Sequence, residues 1–213
     1  TTENDQDRQM VERSIVRVDG MKKLIVDLLD MTRIESGQRE RTIKRLDLNG
    51  LAHASMELFA LDAERRGISM ELDTEPDIEL AADPGEAEIV LNNLISNAVK
   101  YNRDGGSVTV KLSRDGNAVT IAVTDTGIGL TPEEAGKLFN EFTRIKNEHT
   151  VKILGSGLGL STVRKIANMY DGEATVTSEP GVGSTFTVTL RDAPREETRR
   201  PAPDTASEAA PQL

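Results

Sequence analysis

The strongest constraint on the fold lies between Ser107 and Asp125, where apolar and polar residues alternate on both sides of a short turn. The segments SVTVKLSR and AVTIAVTD flank the turn residues Asp115, Gly116 and Asn117. Alternation of this kind is typical of strands with one buried face, and an Asp-Gly pair favours a tight hairpin turn. The sequence therefore commits this part of the chain to an antiparallel sheet.

Other segments predict further strands around this hairpin. A second hairpin is expected over 172–190, because Thr and Val alternate on both sides of a Pro-Gly turn at 180–183. Short apolar runs predict strands at 68–74 and 78–83. A further short strand is expected after the basic stretch QRERTIK, which contains a linker over 38–44.

Helical spacing of apolar residues predicts four helices between and after these strands. They are expected over 49–66, 83–102, 131–142 and 159–170. The second begins with Asp83 as its cap and Pro84 in its first turn, and the third begins with Thr131 as its cap. The inner face of the first helix is expected to consist of Leu51, Leu58, Phe59 and Leu61.

A longer amphipathic helix is predicted over 5–35, ending at Gly37. Val11, Val18 and Ile25 are seven residues apart, as in a helix that packs along a seam. Two interpretations are open: the helix packs on its own domain, or it forms half of a helical hairpin that dimerises. Its length favours the second, because it exceeds that of most globular helices.

Composition excludes several classes of site. The chain of 213 residues has no cysteine and two histidines, so disulfides, thiolate metal sites and His-rich metal sites are excluded. A formal charge of −10 argues against general nucleic-acid binding.

We find no membrane-length apolar run and no signal peptide, and expect a cytoplasmic protein or the cytoplasmic part of a membrane receptor. Thr1 is not a start methionine, so the chain is expected to be cut from a longer protein. The Pro-rich, Ala-rich and charged tail over 192–213 is predicted to be disordered.

A polar stripe on the predicted helix over 83–102 is the first candidate site. Asn93, Asn97, Lys100 and Tyr101 fall at i, i+4, i+7 and i+8, so they share one helical face. The stripe looks either into a cleft or into solvent. An amide oxygen is a suitable ligand for Mg²⁺, which prefers oxygen and keeps several waters beside substrate phosphates.

Two glycine clusters follow. In VTDTGIGL, Asp125 ends a strand and Gly127 and Gly129 come after it, so a ligand could approach the backbone closely, although a tight turn is the alternative. In GSGLGLSTV, alternate glycines lead into a helix whose free N–H groups suit phosphate. The P-loop pattern and the dinucleotide fingerprint are both absent, and neither cluster is specific alone.

In this order, and with LFNEF between them, the motifs resemble the nucleotide-binding domain of sensor histidine kinases. That domain belongs to the GHKL (Bergerat-fold) superfamily, which includes DNA gyrase, the ninety-kilodalton heat-shock chaperone and MutL. The segment RVDGMKKLIVDLLDMTRIESG further resembles the second helix of the family's dimerisation and phosphotransfer hairpin. The resemblance implies a hairpin helix over 1–37, the linker over 38–44, an ATP-binding domain over 45–191 and the tail over 192–213.

The fold that follows is an α/β (α+β) two-layer sandwich. A mixed, mostly antiparallel sheet of about five strands is expected to carry three helices on one face. ATP and Mg²⁺ are the cofactors that the resemblance implies, with Asn97 as the metal ligand. It also implies that Phe139 and Phe142 anchor a mobile lid over 143–154. Within this segment Arg144 and Lys152 are candidates for additional charge on the phosphates, and the alternative is that both are solvated lid residues. The implied ATP-binding residues are Asn93, Asn97, Lys100, Tyr101, Asp125, Gly127, Gly129, Phe142, Arg144, Gly155, Ser156, Gly157, Leu158 and Gly159.

The resemblance also implies the chemistry. In the ATPase branches a glutamate activates water at the position of Asn93, and an amide cannot act as a general base. Transfer of the γ-phosphoryl group to a histidine is therefore expected instead of rapid hydrolysis. Neither His53 nor His149 resembles the family's acceptor, so the acceptor is expected outside this chain. A response regulator and a homodimer through the hairpin are the implied partners. The alternatives are a serine kinase of the anti-sigma-factor type and a non-catalytic ATP-sensing scaffold.

Overall fold

The computed structural model describes residues 41–145 and 155–193, together with separate positions between 7 and 32. Every described position between 7 and 32 is helical, as the apolar spacing there predicts. The apolar side chains at these positions are 46 to 65 % exposed: Met10, Val11, Val18, Met21, Ile25, Leu28 and Leu29. The predicted cap at Gly37 and the part of the tail beyond 193 lie outside the described residues.

Seven strands and four helices follow along the rest of the described chain. The strands are β1 (Lys44–Asp47), β2 (Ser69–Thr74), β3 (Glu79–Ala82), β4 (Ser107–Asp115), β5 (Ala118–Asp125), β6 (Glu173–Glu179) and β7 (Gly183–Arg191). The helices are α1 (Leu48–Arg65), α2 (Pro84–Lys100), α3 (Pro132–Ala135) and α4 (Gly159–Met169). None of the helices in the described part of the chain is long and apolar enough to cross a membrane.

Five of these strands form one sheet in the order β2-β4-β5-β7-β6. Only the β2–β4 pair is parallel, so the prediction of a mixed, mostly antiparallel sheet is confirmed. Both hairpins are present, and Gly116 takes a φ of 58° in the first turn, as a tight hairpin turn requires. The short strands β1 and β3 pair with each other in a separate antiparallel ladder.

The core lies between one face of this sheet and three helices, α1, α2 and α4, as predicted. Alternate residues of the central strands point into it and are nearly inaccessible: Val108, Val110, Leu112, Val119, Ile121, Val123, Phe186, Val188 and Leu190. The residues between them on the opposite face are mostly threonines and remain partly exposed. The period of two in the sequence therefore sets which face of the sheet the helices cover.

The predicted inner face of α1 is wrong for two of its four residues. Leu58 and Leu61 are 64 % and 67 % exposed, whereas small residues such as Ala52, Ser55 and Ala63 face the core. A helix that lies close to its neighbours must present small side chains to them, so the largest apolar residues need not mark the buried face.

The predicted helix over 131–142 is also too long, since α3 ends at Ala135. Thr131 caps it as predicted, in a reciprocal capping box with Glu134. After Gly136 the backbone bonds change to shorter turns, for example from Lys137 N–H to the Glu134 carbonyl at 3.1 Å. These turns place Phe139 in the core, where it is 9 % exposed. Burial of Phe139 thus overrides helix propensity after the first turn.

A buried polar cluster joins the start of α2 to the end of α4. The Arg41 guanidinium donates to both carboxylate oxygens of Glu86, from Nε at 3.0 Å and 3.2 Å and from Nη2 at 2.8 Å. The Tyr170 hydroxyl donates to the same carboxylate at 2.5 Å, and Arg41 lies over the Tyr170 ring at 4.6 Å. Asp83 caps α2 as predicted, accepting from Gly85 N–H at 3.0 Å. The segment before β1 is therefore attached to both helices.

Candidate functional site

A cleft of about 980 Å³, including its open mouth, separates α2 from the turn after β5 and from the start of α4. Its lining comes from five parts of the sequence that the fold brings together. The lining residues are Asn93, Ser96, Asn97, Lys100, Tyr101, Asp125, Ile128, Gly129, Leu130, Leu138, Thr143, Arg144, Ile145, Gly155, Ser156, Gly157, Gly159, Leu160, Ser184 and Phe186. Eleven of these are residues that the sequence analysis singled out.

The polar stripe of α2 forms one wall. Asn93, Asn97, Lys100 and Tyr101 all face the cleft, which excludes the interpretation of the stripe as a solvated helix face. The Asn93 amide nitrogen donates to the Ile89 carbonyl at 2.8 Å, which fixes the orientation of that side chain. Within the described residues the Asn97 amide makes no hydrogen bond, so its oxygen is available to a ligand. Burial raises the pKa of the Tyr101 phenol, and the nearby guanidinium of Arg144 partly offsets that rise.

Asp125 lies at the end of β5, on the opposite wall. It is 5 % exposed, and its Oδ1 accepts a hydrogen bond from Gly127 N–H at 2.8 Å. Burial raises the pKa of Asp125 from an ordinary 3.8 to about 6, although backbone N–H groups of Gly127 and Ser184 limit the rise. A buried carboxylate that lines the cleft can accept from an N–H donor of a ligand, such as an exocyclic amine.

The glycines after Asp125 shape this wall in different ways. Gly127 lies outside the lining; a methyl group there would collide with the Tyr101 carbonyl, so this glycine allows the turn to approach α2. Gly129 lines the cleft with a φ of 64°, and a methyl group there would collide with the Glu179 carbonyl in the second hairpin. Both glycines are needed for close backbone approach, and only Gly129 also faces the cleft.

The glycine-rich segment closes the third side. Gly155, Ser156, Gly157 and Gly159 line the cleft just before and at the start of α4, where backbone N–H groups lack helical partners. Leu158 is fully buried instead, because its side chain belongs to the apolar interior. A methyl group on Gly159 would collide with the amide oxygen of Asn93. This glycine therefore lets the start of α4 approach the α2 stripe.

The lid side of the cleft is only partly described. Thr143, Arg144 and Ile145 line it, whereas the rest of the predicted lid, including Lys152 and His149, lies outside the described residues. Phe142 is 63 % exposed, has a φ of 56°, and is not among the residues that line the cleft. The turns after α3 leave Phe139 as the buried aromatic of this segment, so Phe142 does not line the cleft.

Sequence reasoning did not single out nine of the lining residues, although it placed two of them, Thr143 and Ile145, in the predicted lid. Ser96 follows Asn93 by one helical turn, so the helical period could have found it. Ser184 is the register partner of Asp125 across β5 and β7, and no local pattern predicts that pairing. The remaining seven are Ile128, Leu130, Leu138, Thr143, Ile145, Leu160 and Phe186, mostly apolar residues that resemble core residues in the sequence.

Residues 82–194, which carry α2, the turn after β5 and the glycine-rich segment, match the family described as histidine kinase-, DNA gyrase B- and HSP90-like ATPase. The chain belongs to this family. It therefore contains an ATP-binding domain, and the cleft lies within the matched residues.

The chain is also similar to individual proteins and to solved structures. The non-motile and phage-resistance protein of Caulobacter vibrioides is 35 % identical over 171 residues, which cover 78 % of this chain and 20 % of that protein. The sensor-like histidine kinase SenX3 of Mycobacterium tuberculosis is 29 % identical over 183 residues, covering 86 % of this chain and 45 % of SenX3. The structure of full-length ShkA in complex with AMPPNP is 28 % identical, covers 88 % of this chain and 40 % of ShkA, and superposes with a TM-score of 0.70. The chain spans less than half of the length of each.

Proposed function

We propose that this chain is the catalytic part of a two-component sensor histidine kinase. It would transfer the γ-phosphoryl group of Mg-ATP to a histidine outside the chain, for onward transfer to a response regulator. Support comes from the family match, from a relative named a histidine kinase, and from AMPPNP in the ShkA structure. In the complete protein we expect a homodimer through a helical hairpin that includes the N-terminal helix.

The observation that favours transfer over hydrolysis is the lining of the cleft. Asp125 is the single carboxylate among the lining residues that the structure describes, and it already accepts from Gly127 N–H. The α2 wall offers Asn93, Ser96, Asn97 and Lys100, none of which can take a proton from an attacking water at neutral pH as a carboxylate would. Phosphoryl transfer mainly needs positioning and charge neutralisation, which amides, a lysine and helix N–H groups can supply.

We assign a role to each residue from the wall of the cleft on which it lies. Asp125 would accept from the adenine amino group, while Lys100 and the N–H groups at the start of α4 would face the phosphates. Asn97 fits a Mg²⁺ ion, because it lines the cleft and its side-chain amide makes no hydrogen bond within the described residues. The described residues hold no cluster of three His, Cys, Asp or Glu side chains that could bind a metal ion. A single protein oxygen suits Mg²⁺ whose other ligands are phosphates and water, and the ion would neutralise phosphate charge.

Calorimetric titration tests the binding half of this proposal. We expect ATP to bind more tightly than GTP, and Mg²⁺ to strengthen the binding of ATP. Asn97→Ala should remove the strengthening by Mg²⁺, whereas Asn168→Ala on the exposed face of α4 should retain it. Equal binding of ATP and GTP, or a Mg²⁺ effect that survives Asn97→Ala, would contradict these roles.

Labelled ATP tests the transfer half. The chain alone should release phosphate slowly and acquire no label at His53 or His149. A helical hairpin of a two-component kinase, added with its acceptor histidine, should acquire acid-labile label. Acid-stable label on serine would favour the serine-kinase alternative, and tight ATP binding with no transfer to any acceptor would favour the scaffold. Rapid phosphate release would instead indicate an ATPase.

A further inference from the structure

Arg66, the residue after α1, reaches across the fold to the end of α2. Its Nη1 donates to the Val99 carbonyl at 2.7 Å and the Lys100 carbonyl at 3.3 Å, and its Nη2 donates to the Asn102 carbonyl at 2.6 Å. Its Nε donates to Asp104 at 2.8 Å. The last carbonyls of a helix have no intrahelical partner and form the negative end of its dipole, so a guanidinium there is stabilising. Arg66 therefore caps α2 from outside the helix.

The same carbonyl end is tied to the turn that carries Asp125. Asn102 is 4 % exposed; its amide nitrogen donates to the Ser107 carbonyl at 3.0 Å, and its amide oxygen accepts from the Thr126 hydroxyl at 3.3 Å. The Thr126 hydroxyl in turn accepts from Ser107 N–H at 2.8 Å. The loop after α2 is thus held between Arg66 and the residue next to Asp125.

Two cleft residues, Lys100 and Tyr101, take part in the hydrogen bonds at this end of α2. Lys100 is the last residue of α2, and its own carbonyl is one of the acceptors of Arg66. Tyr101 follows it, and its carbonyl accepts from Ile128 N–H at 3.1 Å, which joins the two walls of the cleft. Without the guanidinium, the Lys100 and Asn102 carbonyls lose this donor, and the Val99 carbonyl keeps backbone donors such as Asn102 N–H at 3.4 Å. The last turn of α2 is then held in place by fewer hydrogen bonds.

We propose that Arg66 is a positioning residue for nucleotide binding, holding the last turn of α2 so that Lys100 faces the phosphates. Arg66 is not among the residues that line the cleft, so it acts through Lys100 and not on the nucleotide. This role rests on the proposed function, in which Lys100 contacts the phosphates.

Titration of the protein with ATP tests the role. Arg66→Met should weaken ATP binding about tenfold, since a tenfold change requires only the energy of one hydrogen bond. The ATP affinity of Arg66→Lys should lie between those of the wild type and Arg66→Met, because an ammonium can donate to these carbonyls but lacks the planar fork of a guanidinium. Arg65→Met is the matched control. The Arg65 side chain is 77 % exposed and pairs with Asp62 at 3.4 Å, so ATP affinity should not change.

A double-mutant cycle with Lys100→Met separates positioning from general destabilisation. If Arg66 acts through Lys100, Arg66→Met should cause little further loss of ATP affinity in the Lys100→Met background. An equal loss with and without Lys100, or unchanged affinity in Arg66→Met, would overturn the role. Circular dichroism checks the fold, and if Arg66→Met does not fold, the cycle is run with Arg66→Lys. If the unsubstituted protein binds no ATP, the proposed function fails. If the unsubstituted protein binds ATP and the Arg66 variant binds it equally well, only the proposed role of Arg66 fails.

Discussion

Replacement of Asp125 by asparagine is expected to stabilise the free protein. The carboxylate is 5 % exposed and its pKa is raised to about 6 by burial, so its ionised form is unfavourable in the folded state. Asparagine has nearly the same shape, and its amide oxygen can still accept from Gly127 N–H. The substitution therefore removes a buried charge while it retains the hydrogen bond at 2.8 Å.

The magnitude follows from the pKa. A rise from 3.8 to about 6 corresponds to about 3 kcal/mol of destabilisation at pH 7, at about 1.4 kcal/mol for each pKa unit. The asparagine NH₂ group needs a new acceptor, and this costs about 1 kcal/mol if it finds none. We expect a net gain of about 2 kcal/mol in the free energy of unfolding, which raises Tm by roughly 4–8 °C for a chain of this length.

The gain should depend on pH in a defined direction. Because the pKa of Asp125 is higher in the folded state, the folded protein binds the proton more tightly than the unfolded chain does. Wild-type stability from this group is fully present below about pH 4 and is lost as the pH rises through about 6. The advantage of Asp125→Asn should therefore be complete at pH 7 and absent at pH 4.

Urea unfolding of the nucleotide-free protein at pH 4, 5 and 7 measures this dependence. Asp115→Asn is the matched control, since Asp115 is the exposed last residue of β4, where a surface substitution has little effect on stability. The reasoning is refuted if Asp125→Asn is less stable than wild type at pH 7, or if its advantage is the same at pH 4 and pH 7. The same variant should lose the thermal stabilisation by ATP, because an amide NH₂ group facing the adenine amine cannot accept.

Two further substitutions test the packing around the site. Gly159→Ala should weaken ATP binding at least fivefold, because the new methyl group collides with the facing amide oxygen on α2. In the control Gly136→Ala the new methyl group makes only ordinary contacts, so the affinity for ATP measured by calorimetry should not change. Equal ATP affinities of the two variants would contradict this packing. Arg41→Met should lower the free energy of unfolding by about 2 kcal/mol, because Glu86 is then buried without its cation. Arg45→Met, whose ion pair is exposed, should cost less than about 1 kcal/mol by urea unfolding, and similar losses in the two arginine variants would refute the distinction.

Much of the fold was predictable from local patterns. Alternation with a period of two identified both hairpins, and the caps at Asp83 and Thr131 were predicted because a cap depends only on residues three or four positions away. Helical spacing placed Asn93, Asn97 and Lys100 on one face, and all three line the cleft. These features depend on residues close together in the sequence, where backbone geometry fixes the neighbours.

Long-range packing decided the remainder. The parallel pairing of β2 with β4, the exposure of Leu58 and Leu61, and the early end of α3 depend on which surfaces meet in space. Arg66 shows the same limit, since its partners are 33 to 38 residues away and its role was not visible in the sequence. The sequence alone determined the hairpins, the caps and the chemical groups of the site, because these depend on local geometry. Only the tertiary structure decided which walls enclose the cleft and what holds them in place, because desolvation and steric fit depend on all the neighbours of a group at once.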